Sequence, residues 1–574
     1  MLPRGEDEQE SRLPGDRWWC VLLVGLLVAP LVVSAAQLLL AVGSSYRPPS
    51  DWALLEIHTR DAGSRLLTVG PYSRYGWNHP GPLLFYALYP AYRLFGSQSV
   101  GLHVGALAVN AAAIVGIGFV AFRRGRLPTS IAVLIPVALL EHALGIEILR
   151  DPWNPLLPVM PLLLLLLLAW SVAVGDLAMA PPAVVVASFT IQSHVGFAIV
   201  SVTLCAFALA VVVARGLRVE VAMRSAYWRR LARVALVCTA VGLVLWAPVL
   251  YGTLVRHDGN LAAIWRFFRE PHATAGLGAA LRVMGLQWGL RPAWIFGDPG
   301  SDWLGQVLMD DQWWLAVGLA LGGAATFVAH RRGDRRVVWL AATIGVALLA
   351  ALYALRGIVG ALYPYLVRWT WALGAALGML VLMGAWSAIR AGTRGRILLP
   401  ITFVATGVLL VGSVMTSSAA LGAGTPHPLD QASERAMITQ VLAGLPAGRG
   451  PVWITGLAWE IPGLVNQLER NGVPVMVQPG QPVVFGTTRT PRGRYRAVLH
   501  VIGGNNVDEP APAGRLIAKF ERERTPGEQA DLEAAIRSLR AQPRGAERDD
   551  LLEGFLRARD DPASRFEVYL ERAR

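Results

Sequence analysis

Apolar runs of about 20 residues recur along this chain from Trp18 to Met415, so lipid is the solvent for most of its length. They fall at 18–42, 100–122, 127–149, 155–174, 179–193, 195–214, 234–253, 313–330, 337–355, 366–388 and 397–416. Eleven spans put the two chain ends on opposite sides of a membrane. Basic clusters then orient the chain. Arg123, Arg124 and Arg126 form one, and Arg215 to Arg233 supply a second. Arg331, Arg332, Arg335 and Arg336 form a third, and Arg390, Arg394 and Arg396 a fourth. With a cytoplasmic N-terminus all four lie on the cytoplasmic side, as the bias of basic loops requires. The first run is too long for a signal-peptide core and lacks a cleavage site, which makes it a retained span.

Composition agrees with this reading. The chain is 54% apolar and 16% charged, against about a quarter charged for an ordinary soluble domain. A net charge of +13 invites a nucleic-acid partner, but the Arg residues sit in short loops between spans, which argues for no nucleic acid. Cys20, Cys205 and Cys238 lie in or beside apolar runs without ligand-like spacing, so neither a zinc site nor a disulfide framework is expected.

The expected organisation is an α-helical polytopic membrane protein with a cytoplasmic tail over 1–17 and a membrane domain over 18–417. A small α/β domain over 418–574 follows on the extracytoplasmic side. Loops 43–99 and 254–312 share that outer side. In the C-terminal domain, strands are expected at 452–455 and near Val475 and Val498, with helices at 461–471, 526–541 and 546–559. It holds no glycine-rich phosphate fingerprint, and no chemistry is assigned to it.

The first outer loop is where chemistry gathers. Pro49 and the N-cap residue Ser50 open a short helix expected to lie on the membrane surface. Its spacing puts Asp51, Leu55 and His58 on one face and turns Glu56 away. The structural alternative for Asp51 is a carboxylate favoured by the helix dipole. Residues 77–96 follow, opening on Trp77-Asn78-His79-Pro80 and running into a Tyr-rich stretch interrupted by Pro90, which reads as a second surface helix.

These residues resemble the GT-C glycosyltransferases. An acidic residue opens a surface helix, a His-Pro turn follows, and a short Tyr-rich helix ends in Leu94-Phe95-Gly96. The layout is similar to protein O-mannosyltransferases, lipid A aminoarabinose transferases and rhizobial lipopolysaccharide sugar transferases. It continues through a span, an Arg-rich turn and another span to Arg150-Asp151-Pro152. The resemblance implies an inverting transferase whose donor is a polyprenyl-phosphate sugar and whose acceptor is a cell-envelope glycan, lipid or protein. It implies Asp51 as general base. Asp151 would position the acceptor or bind a divalent cation. Asn78 and His79 match the turn where relatives carry His or Lys, and the structural alternative is a capping turn before Pro80. His194 stands where several relatives carry a Lys facing the lipid phosphate, which is a departure. Arg150, Arg356, Tyr365 and Arg368 are further substrate-binding candidates, because guanidinium groups suit phosphate. Interfacial anchoring is the alternative for the Arg and Tyr residues before the tenth span. Two rival functions are a transporter or flippase of a lipid-linked sugar and a non-catalytic membrane scaffold. The transferase reading requires Asp51 and Asp151 to converge with His194, Arg356 or Arg368.

Overall fold

The computed structural model describes residues 15–297 and 313–572, apart from 361, 390, 449, 457, 479–481, 491–492, 504–511, 542–543, 545 and 560–561. Arg390 and the end of the second long loop, 298–312, therefore lie outside the described residues. Helix α1 (Asp16–Gln37) leads to a segment holding α2 (Ser50–Ala62), a hairpin of β1 (Tyr72–Ser73) and β2 (Trp77–Asn78), and α3 (Leu83–Leu94). The bundle continues with α4 (Val100–Leu149), α5 (Val159–Val174), α6 (Ala180–Ser193), α7 (Ala198–Leu217) and α8 (Val221–Tyr251). Two short helices, α9 (Asn260–Arg269) and α10 (Gly276–Gly285), come next. Then follow α11 (Trp314–Arg331), α12 (Arg335–Arg356), α13 (Thr370–Ala388) and α14 (Ala391–Gly422). Seven helices among the described residues are long and apolar enough to cross a membrane. All eleven expected runs are helical, with two of them carried by α4.

Within α4, Gly125 and Arg126 leave helical geometry, Arg126 with φ of 54°. The chain folds back there. The Cys20 thiol lies 3.9 Å from Gly118 O and 3.6 Å from Ser130 Oγ, one residue on each arm. At the far end of this hairpin Asn110 Nδ2 donates to Leu149 O at 2.8 Å.

The basic clusters share one end of the bundle. Arg126 Nε donates to Asp16 Oδ2 at 2.9 Å, Arg124 Nη2 to Asp176 Oδ2 at 2.8 Å, and Arg336 Nη1 to Arg124 O at 3.0 Å. Arg215 Nη2 donates to Ala173 O at 2.6 Å and Arg394 Nε to Ile389 O at 3.0 Å. At the opposite end, Arg150 Nη1 donates to Gly424 O at 3.1 Å, just past α14. Between these ends packing follows polarity. Helix α5, apolar all round, is almost wholly buried. On α8, Leu236, Leu243 and Val244 stay exposed, as expected of a helix whose solvent is lipid. Small residues let α11 and α13 close up: a Cβ on Gly384 would stand 2.5 Å from the Ala325 Cβ.

The C-terminal domain comprises α15 (Gln431–Gly444), β3 (Val452–Gly456), α16 (Ile461–Arg470), β4 (Val475–Val477), β5 (Ala497–Gly503), β6 (Arg515–Arg522), α17 (Pro526–Ala541), α18 (Ala546–Ala558) and β7 (Ser564–Arg572). Its sheet runs β4-β3-β5-β7-β6, with β3 parallel to β4 and β5 and the remaining pairs antiparallel.

Helix α2 packs against both α3 and the C-terminal domain. Leu55 packs with Leu84, Phe85 and Leu88 of α3, while Leu54 and Ile57 enter the core of the C-terminal domain beside Leu464 and Phe485. Both faces of α2 carry apolar residues, so it is sandwiched between these two layers. Glu56, turned away from Asp51, is 0% exposed and accepts from Tyr92 Oη at 3.2 Å and Asn466 Nδ2 at 2.9 Å, with the Arg470 guanidinium paired to it. Arg60 pairs with Glu469 at 2.5 Å, and Arg489 bridges Asp61 at 2.8 Å and Glu469 at 2.6 Å. A polar network therefore fixes the C-terminal domain to α2.

Candidate active site

Asp51 lies in the first turn of α2, and Pro49 rather than Ser50 is the N-cap. Ser50 instead adopts a left-handed φ of 38° inside the turn. Asp151 follows the C-terminus of α4. The two carboxylates are interlocked through indoles. Trp52 Nε1 donates to Asp151 Oδ1 at 2.7 Å, and Trp153 Nε1 donates to Asp51 Oδ2 at 3.1 Å. The Trp153 backbone N–H adds a bond to Asp151 Oδ1 at 2.8 Å, and the two indole rings lie 5.6 Å apart. Burial raises both acids above the ordinary carboxylate range, against the lowering effect of the indole donors. For Asp151 the result is about 6.

An aromatic chain runs outward from this pair. Trp153 meets Tyr365 at 4.7 Å, and Tyr365 stacks on Tyr363 at 5.6 Å. Arg74, at the tip of the β1–β2 hairpin, lies over the Tyr363 ring at 5.1 Å and donates from Nη2 to Tyr75 Oη at 2.7 Å. Burial and the Asp51 charge both act upward on the Tyr365 phenol, the Arg74 charge acts downward, and it stands at about 12. Tyr365 is therefore a neutral donor within electrostatic reach of Asp51 and Arg74.

Trp77 and His79 continue the chain to His194, whose ring is 4.3 Å from that of His79. His79 Nδ1 accepts from Val195 N at 3.1 Å, and His194 Nδ1 accepts from Gly196 N at 3.1 Å. These bonds put the proton of each neutral ring on Nε2. Burial pushes His194 down to about 4 and His79 well below its ordinary value, helped by His194. His194 therefore presents a neutral N–H. The loop of Asp151 is tied to this pair by Asn154 Nδ2 donating to Ser193 O at 3.3 Å.

The remaining candidates have other surroundings. Asn78 is buried; its N–H donates to Asn260 Oδ1 at 2.8 Å and its carbonyl accepts from Asn260 Nδ2 at 2.9 Å, which fastens the hairpin to α9. Arg150, 1% exposed, pairs with Glu147 at 2.6 Å and holds the end of α14. Arg356 is exposed and lies 4.4 Å over Tyr353. Arg368 is buried, 4.3 Å over Trp371, and adjoins Trp369, which reaches His194 through Phe197. Asp51, Asp151 and Tyr365 are thus joined through Trp52 and Trp153, and His79 and His194 form a separate pair tied to the Asp151 loop by Asn154, with Arg368 at the margin.

Sequence reasoning missed Arg74, Trp52 and Trp153. The available signal for Arg74 was its place among Tyr72, Tyr75 and Trp77. Among the described residues no group of three His, Cys, Asp or Glu is arranged to hold a metal ion. Close backbone approach shapes the floor of the site: a Cβ on Gly70 would stand 2.5 Å from Gly81 O and 2.9 Å from Gln192 O. Gly70→Ala is therefore expected to cost about 1–3 kcal/mol through overpacking against backbone, read as a lower melting temperature of the purified protein.

No family model matches the chain, and no curated protein matches it. Among solved structures, ArnT from Cupriavidus metallidurans bound to undecaprenyl phosphate aligns over 88% of this chain and 96% of its own, with a TM-score of 0.53 and 15% identity. The apo state of the same protein gives a TM-score of 0.50 at 15% identity, over 88% and 97% of the two chains. At this identity the likeness is one of architecture, and this chain is a polytopic membrane protein with the GT-C fold that ArnT displays.

Proposed function

We propose that this protein is an inverting membrane glycosyltransferase that moves a sugar from a polyprenyl-phosphate carrier to a hydroxyl of a cell-envelope acceptor. The observation that carries this reading is the interlocked pair Asp51 and Asp151 within a GT-C fold, together with the undecaprenyl phosphate held by the ArnT structure. Asp51 takes the proton from the acceptor hydroxyl. The acceptor oxygen forms a bond to the anomeric carbon as the bond from that carbon to the phosphate oxygen breaks, and polyprenyl phosphate leaves with the electron pair. Asp151, ionised, orients the acceptor. Arg74 offsets the charge on the leaving phosphate, with N–H donors from His79 and His194. The charge bias of the basic clusters supports a cytoplasmic side at their end of the bundle, with the site and the C-terminal domain facing outward.

The test is transfer from radiolabelled polyprenyl-phosphate sugars to an envelope extract as pH is varied. Both acids have raised values in the folded protein, so they take up protons at higher pH than ordinary carboxylates and lose the basic form sooner. With Asp151 at about 6, the rate is expected to fall below pH 6 by about tenfold per pH unit. A rate that holds steady down to pH 4 would remove Asp151 from the rate-limiting step.

A further inference from the structure

The link from the last membrane helix to the C-terminal domain does more than connect. It runs Gly424-Thr425-Pro426-His427-Pro428, and His427 adopts a left-handed φ of 49° between two prolines. Such a conformation is uncommon outside glycine and persists only where the surroundings enforce it. Here they do. Tyr46 Oη lies 2.9 Å from His427 Nδ1, and Gln431 grips Arg47 on both sides, accepting from its N–H at 2.9 Å and donating to its carbonyl at 2.8 Å. The segment before α2 and the link after α14 are thereby clamped together. The imidazole so held lies on Trp52, with ring centroids 3.8 Å apart. Trp52 is the indole that donates to Asp151.

We infer that His427 is a positioning residue for the active-site carboxylate Asp151, acting through the indole of Trp52. The inference rests on the proposed transferase reading for its catalytic consequence, but the contact itself does not depend on it. The phenol of Tyr46 is held protonated, first by burial and then by Asp151, Glu56, Asp430 and Glu434, so it donates to His427 Nδ1 and leaves the imidazole proton on Nε2. Burial and Arg150 push His427 down to about 4, which keeps the ring neutral against the indole across the working range. The ionisable groups facing Asp151 include Glu147, which raises its value, Arg150, which lowers it, and the neutral Tyr46 phenol; His103 faces His427 at 6.2 Å. If the imidazole is removed, the indole loses its backing, its bond to Asp151 weakens, and Asp151 takes up a proton at higher pH.

Asn tolerates a left-handed backbone, so His427→Asn removes the ring with least risk to the fold. Trp52→Phe keeps a ring for the stack but deletes the donor. In the full-length protein, Trp52→Phe is expected to move the acid limb of kcat upward by about one pH unit. His427→Asn should move it in the same direction by roughly half as much. Donor KM should stay unchanged, and in an Asp151→Asn background neither substitution should shift the limb. An activity-independent reading comes from protein labelled with 15N at tryptophan. The Trp52 indole N–H resonance, assigned by its loss in Trp52→Phe, should titrate near pH 6 in wild type and at higher pH in His427→Asn. An indole that titrates while no sugar is transferred would overturn the transferase reading and leave this inference standing. A Trp52 resonance with the same titration in wild type and His427→Asn would overturn the inference, whatever the activity.

Discussion

Asp51→Asn is expected to lower kcat for sugar transfer by about 10²- to 10⁴-fold, the range spanned by loss of a positioned general base, while donor KM stays within about twofold. The contrast follows from what the side chain touches. Asp51 accepts one indole bond, from Trp153 Nε1 at 3.1 Å, and an amide oxygen at the same place can still accept it. The fold and the aromatic chain beyond Trp153 should therefore survive, and protein level in membranes should match wild type. What is lost is a basic oxygen in a site where burial has already raised the proton affinity of the carboxylate. In the proposed mechanism the donor phosphate is met by groups farther along the aromatic chain, Arg74 and the His79–His194 pair, which the substitution leaves in place. Steady-state kinetics at pH 7.5, roughly 1.5 units above the acid limb expected from Asp151, would separate kcat from KM. A large rise in KM at unchanged kcat would assign Asp51 to binding instead.

Glu56→Ala should produce the second large effect, this time on stability. Glu56 is 0% exposed and anchors Arg470, Tyr92 and Asn466, so it joins the C-terminal domain, α2 and α3 in one place. Removing one partner of a buried ion pair costs about 3–5 kcal/mol, because the other charge stays buried without compensation. Arg470 retains its bond to Ser97 O at 2.9 Å and its contact with the Tyr92 hydroxyl, which puts the expected loss toward the lower part of that range. Glu56→Gln, which can still accept from Tyr92 and Asn466, should lose distinctly less. Thermal unfolding followed by limited proteolysis of the C-terminal domain reads both variants. Wild-type melting and proteolysis in Glu56→Ala would show that this network does not hold the domain on α2.

Legibility from sequence followed the range of the interactions involved. The spans could be read because the bilayer dictates a length, and the sidedness of the Arg clusters because charge bias acts loop by loop. The helices of the C-terminal domain could be read from local periodicity, and α16, α17 and α18 fall where it put them. The sandwich around α2 could not. Leu54 and Ile57 carry no mark that distinguishes a lipid surface from a protein core, and the core they join is supplied by the far end of the chain. The β1–β2 hairpin is two residues per strand, too short for any period to show, and Arg74 at its tip was missed with it. At the site, Asp51, Asp151, His79, His194 and Tyr365 were reached through the resemblance to the GT-C transferases. The indoles that interlock the two acids were missed, because a tryptophan beside an aspartate gives no sign of which distant carboxylate it serves. Asn78 and Arg150 were substrate-binding candidates, with a capping turn the alternative for Asn78, and in the structure their polar groups fasten α9 and α14.

The most direct test of the transferase reading uses wild-type protein in liposomes carrying a radiolabelled polyprenyl-phosphate sugar, with envelope extract on the site-facing side. A transferase should pass label to the acceptor and release unglycosylated polyprenyl phosphate in equal amount, and Asp51→Asn should lower both by the same factor of about 10² to 10⁴. Label that crosses to the opposite leaflet still joined to its prenyl phosphate, with no such release, would contradict the transferase reading and make the protein a carrier of lipid-linked sugar.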